Sequence, residues 1–153
     1  MTTEIRSIGD KISVRRAIAN TAATAGGTGD ATAVTGAIID RAALGWPKSA
    51  VLAVPYTATL AAGKTLSLAY ALQHGDASDL ADASALASAD AAVVATGPTG
   101  GGTLAGTFEV NVSLAGAKRY VRLNVTPDLS ATATDTAALS GVIAFGGAES
   151  LPQ

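Results

Sequence analysis

The sequence predicts an all-β fold, a single-domain antiparallel sandwich of jelly-roll type, and three observations predict it. Runs of eight to twelve residues alternate apolar and polar side chains, as Phe108, Val110, Val112 and Leu114 do against Glu109, Asn111 and Ser113. Successive side chains on a strand point to opposite faces, so such a run has one apolar and one polar face. Glycine-rich breaks, drawing on 17 glycines, separate the runs. No strand–helix rhythm of the kind that builds a parallel sheet recurs along the chain, which leaves a sandwich or jelly roll.

A length of 153 residues suits one domain, enough to bury about 68–70% of the unfolded surface. The first 16 residues mix Glu4, Arg6, Asp10, Lys11, Arg15 and Arg16 with Ile5, Ile8, Ile12 and Val14. Neither a period of two nor one of 3.6 fits throughout. Residues 1–16 therefore read as a first strand with a frayed terminus, or as an N-terminal arm that orders on a partner, with the sandwich domain over 17–153. Residues 20–33 are small and glycine-rich and read as a loop. From Val34 to Arg41 the composition returns to that of a strand, and Trp46-Pro47 marks a turn.

From Ser49 to Leu60 and from Thr65 to Gln73 two strands flank the turn at Gly63-Lys64, and they are expected to form a hairpin. From Asp76 to Asp90, aspartates stand among alanine and serine, which reads as a loop with at most a helical turn and a short strand over 91–96. After the turn from Gly97 to Gly102, the runs from Thr107 to Leu114 and from Arg119 to Pro127 read as a central hairpin. One more strand, from Ala137 to Phe145, completes the set.

Composition excludes several classes of function. With no cysteine there is neither a disulfide nor a thiolate metal site. A net charge of −2, from 10 basic and 12 acidic residues, gives no field for nucleic acid. The charged fraction of 14% is low against about 25% in typical domains. The N-terminus shows no secretory h-region and no run reaches about 18 apolar residues, so neither export nor a membrane helix is expected.

The candidate motifs weaken on inspection. Gly63-Lys64-Thr65 ends like a phosphate-binding loop, but Ala58 stands where the first glycine is required and a strand follows. Gly100-Gly101-Gly102 leads into a strand, contrary to a dinucleotide fingerprint. His74 is the only histidine and reads as a solvated turn residue. Asp76, Asp79 and Asp82 could ligate a hard cation but lack the spacing of an EF-hand loop. Lys118, Arg119 and Arg122 read as a solvated basic cluster. The two asparagine sequons at Asn111 and Asn124 fall in expected strands. No acid–base pair, metal cluster or activated nucleophile stands out, so no enzyme and no cofactor is expected.

The order of several segments resembles the tailed-phage capsid-stabilising proteins, called cement or decoration proteins. These are Ala37-Ile38-Ile39-Asp40-Arg41 with Ser49-Ala50-Val51, the run from Tyr70 to Asp79, the run from Leu114 to Arg122, and Gly146-Gly147-Ala148. The resemblance implies a jelly-roll-like fold bound to the outside of a major capsid protein shell, as a homo-trimer. It implies a virion location after assembly in the host cytoplasm. Small interfaces repeated over a shell add by avidity. The charge imbalance makes Arg6, Lys11, Arg15 and Arg16, with Asp76, Asp79 and Asp82, the candidate partner contacts. Another virion component, such as a tail or fibre protein, and a carbohydrate-binding sandwich are the alternatives.

Overall fold

A computed structural model of the chain describes residues 8–148. Its strands are β1 (Ile12–Thr24), β2 (Val34–Asp40), β3 (Ser49–Leu60), β4 (Thr65–Gly75), β5 (Ser84–Thr96), β6 (Gly102–Ser113), β7 (Tyr120–Leu129) and β8 (Thr136–Gly146). Single 3-10 turns at Ile8–Asp10 and Ala42–Leu44 are the helical pieces among the described residues. Two four-stranded sheets form, in the orders β1-β8-β3-β6 and β2-β7-β4-β5. Every strand pair is antiparallel. Only β4 and β5 are consecutive strands of one sheet, and every other connection crosses the sandwich. This is the doubly wound Greek key of a jelly roll.

Alternation decides which side of each strand goes inside. Leu52 and Val54 of β3, Leu66, Leu68 and Leu72 of β4, Val121, Leu123 and Val125 of β7, and Ile143 and Phe145 of β8 fill the layer between the sheets. Each such side chain contributes about 1.5–3 kcal/mol on burial. The four inner strands supply most of this core because each has neighbours on both sides.

Both expected hairpins are overturned. β6 pairs with β3, whereas β7 lies between β2 and β4 in the opposite sheet. The segment from Leu114 to Arg119 is an arch between sheets, and across the core Phe108 of β6 packs on Tyr70 of β4. The strands β3 and β4 likewise belong to different sheets, because β8 and β6 already occupy both edges of β3. The expected loop over 76–90 is also shorter than read, since β5 begins at Ser84. β5 borders its sheet and is mostly exposed, so alanine and serine there answer to backbone pairing and carry no apolar contrast.

At the N-terminal side, β1 continues to Thr24, five residues into the expected loop, and runs through the boundary drawn at residue 17. The remaining glycine-rich connection is held by Asp30. Its carboxylate accepts from Gly26 N at 2.7 Å and from Leu129 N at 2.8 Å. The strand from Val34, the turns at Trp46-Pro47 and Gly63-Lys64, and β8 stand where the residues placed them.

Candidate docking surface

The partner-contact candidates divide between opposite sides of the slab. Arg6 lies outside the described residues. Lys11, Arg15 and Arg16 are exposed at the start of β1, the border strand of one sheet. Asp76, Asp79 and Asp82 sit on the connection from β4 to β5, at the far border of the other sheet, and all three are exposed. The fold thus separates the bases from the acids by the full width of the sandwich.

The acidic connection is organised from within. Asp82 accepts from the N–H groups of Asp76 and Ala77 at 2.8 and 3.0 Å, and Asp79 accepts from Ala81 N at 3.0 Å. Those two backbone donors, joined by Lys118, hold the Asp82 carboxyl below the usual carboxylate range. Lys118 Nζ lies 3.5 Å from both Asp76 and Asp82. Among the described residues, no three histidine or acidic side chains converge as metal ligands would.

The basic cluster at 118–122 is paired, contrary to the solvated reading. Arg119 forms a two-bonded ion pair with Asp40, at 3.0 and 2.8 Å, which lowers the Asp40 carboxyl pKa. Arg122 and Asn124 both donate to Gln73 Oε1, at 2.8 Å from Arg122 Nη2 and 3.0 Å from Asn124 Nδ2. His74 is half-buried on β4, and its Nδ1 accepts from Lys118 N at 3.2 Å. It is a structural acceptor that ties the arch between β6 and β7 to β4, where a turn residue had been expected.

Sequence reasoning missed Arg41. Its exposure is 1%, and its guanidinium donates to the carbonyls of Ala117, Lys118, Pro47 and Leu114, with the last three at 2.9, 2.7 and 3.2 Å. It also lies 5.7 Å from the centre of the Trp46 ring. One buried cation therefore fixes two connections, 41–48 and 114–119, at the same end of the sandwich. Nothing in strand periodicity separates this arginine from a solvated one.

The outer faces of the sheets are the remaining surface. On the β1-β8-β3-β6 sheet the outward residues include Val51, Ala53, Val142 and Ala144, with Val14 50% exposed beside them. This face is small-chained and nearly free of charge. Aromatic rings are largely committed elsewhere. Phe145 is buried, Tyr70 and Phe108 pack with centroids 6.1 Å apart, and Tyr56 reaches between the sheets to donate to Val94 O at 2.6 Å. Arg119 stacks 5.1 Å from the Tyr120 ring centre.

No protein-family model matches the chain, and no curated protein matches it in sequence. Solved structures do match in shape. A chain of the infectious bursal disease virus Gx strain superposes with a TM-score of 0.52 at 15% identity, over 93% of this chain and 33% of that one. Chains of the infectious bursal disease virus VP2 subviral particle (TM-score 0.48, 15% identity, 88% of this chain and 31% of that) and of the Gt strain (0.48, 14%, 95% and 36%) superpose more loosely. This chain spans about a third of the length of those it matches. At such identity the likeness is one of fold, and the shared fold is a jelly roll.

Proposed function

We infer that this protein is a structural component of a virus particle, and more narrowly that it binds the outside of a tailed-phage major capsid shell and stabilises it, as a homo-trimer. The observation that carries the reading is the eight-strand jelly roll, shared in fold with a virus chain and joined to the segment order of the capsid-stabilising proteins. The surface chemistry supports it. A nearly uncharged sheet face with small outward residues suits a flat protein partner, and its weak individual contacts gain strength when repeated over a shell. The ionisable groups that do meet, such as Asp40 with Arg119 and Asp82 with Lys118, are consumed in holding loops. They serve architecture, and the protein in this reading works without catalysis or cofactor.

Electron microscopy of purified particles tests the proposal. Density for this chain on the outer capsid surface, grouped in threes at local symmetry axes, is the expected result. Density confined to the tail would favour the tail or fibre alternative, and particles lacking the chain altogether would overturn the virion role.

A further inference from the structure

Four strands border the sheets: β1 and β6 in one, β2 and β5 in the other. A border strand presents unpaired N–H and C=O groups, and proteins usually guard it with bulges, proline or lysine. β1 shifts register between Arg16 and Ile18 and again before Thr21, β2 shifts between Thr35 and Ile38, and β5 shifts at three places. β6 does not. Its residues pair in unbroken step with β3, from Gly102 opposite Leu60 to Ser113 opposite Ser49. It contains no proline, lysine or arginine. Its inward Leu104, Phe108 and Val110 stay half-buried, because no strand lies beyond them.

The strand that fits this edge is on the opposite border of the same sheet. Before its first shift, β1 lies in five unbroken rows that cross all four strands. Ile12 faces Gly146, then Ser49, then Ser113, and Arg16 faces Val142, then Ala53, then Glu109. Successive neighbours are antiparallel, so β1 also runs antiparallel to β6. A second copy displaced sideways by about 19 Å, four strand spacings, brings its Ile12–Arg16 stretch alongside β6 in antiparallel register. Its Ile12 then lies opposite Ser113 and its Arg16 opposite Glu109.

The charges select this arrangement. Arg15 and Arg16 on β1 and Glu109 on β6 are the only charged residues in the four strands of this sheet. Within one copy Arg16 and Glu109 stand about 14 Å apart, three strand spacings, but across the junction they become cross-strand neighbours of opposite sign. A two-fold β6–β6 pairing would instead place two Glu109 carboxylates in the seam with no cation. We propose that copies of this chain join head to tail, β1 of one adding to β6 of the next. Such a contact closes into a ring where the rotation per copy divides a full turn, and otherwise runs on as a filament. The contact stands on the strand edges and not on the shell role. Monomers seated singly on a shell would overturn the pairing and leave that role, and rings of a protein absent from particles would do the reverse.

The chain has no cysteine, so thiols can be placed one at a time. Separate Arg16→Cys and Glu109→Cys preparations, mixed at high concentration with a short bis-maleimide, are expected to give a cross-linked heterodimer at least tenfold in excess of either homodimer. In parallel, light scattering at low salt is expected to show weakened self-association for Arg16→Glu and for Glu109→Arg, and its recovery when those two variants are mixed. Homodimers of the Glu109→Cys protein as abundant as the heterodimer, no cross-link at all, or no recovery on mixing would each overturn the proposal.

Discussion

A buried guanidinium costs several kcal/mol to desolvate unless its donors are met, and at Arg41 four backbone carbonyls from two connections accept from the two terminal nitrogens. Arg41→Met is expected to lower the unfolding free energy by about 3 kcal/mol, since it strands those acceptors. Arg41→Lys should cost nearly as much, because an ammonium lacks the fork that reaches both connections. Urea titrations measure both, and a loss below about 1 kcal/mol would show that the carbonyls find other donors. A second residue-scale effect is set by pH. Hydrogen bonding from Arg119 lowers the Asp40 carboxyl pKa in the folded state, so the pair's contribution is present above the ordinary carboxylate value and is lost as pH falls through the lowered one. Both partners are partly exposed, which limits the effect to about 1 kcal/mol. Asp40→Asn should therefore cost up to that much near neutrality, and stability curves for mutant and parent should converge at strongly acid pH.

At the scale of elements, the register shift in β2 is built around Gly36. A Cβ there would stand 2.1 Å from Leu123 O and 2.6 Å from Ala17 O, so β1, β2 and β7 approach one another over this residue. Gly36→Ala is expected to cost about 1–3 kcal/mol by forcing the strands apart. Gly102→Ala, where a methyl group would meet only Pro98 at 3.4 Å, should be neutral or slightly stabilising, and thermal melts of the two distinguish close approach from a general penalty. Alternation made most strands legible, among them β3 and β8, because it reports the face that each strand buries. It is silent about which sheet a strand joins, and so β6 and β7, equally periodic and close in sequence, read as one hairpin. The first half of β5, from Ser84 to Asp90, escaped for another reason. Alanine satisfies an exposed border strand and a loop equally well, so only its hydrogen bonds to β4 identify it. The bases on β1 and the acids after β4 were visible as residues, but their placement on opposite sides arises from strand order and could not be read locally.

For the whole molecule, nearly all connections cross from sheet to sheet and most pairings join residues distant in sequence. Folding should accordingly be slow for the size, in the millisecond-to-second range seen for such topologies, and stopped-flow refolding from urea would measure it. Within its sheet β1 has a single neighbour, β8, which also supplies one edge of β3. During synthesis, then, β1, the first of the described strands, waits for β8, the last of them, and a nascent chain halted before Thr136 leaves the hydrogen-bonding edges of β1 and β3 open to any protease or chaperone at the ribosome exit. The strand β8 acts as the latch on this fold, so the chain is expected to resist digestion only once Gly146 has left the ribosome.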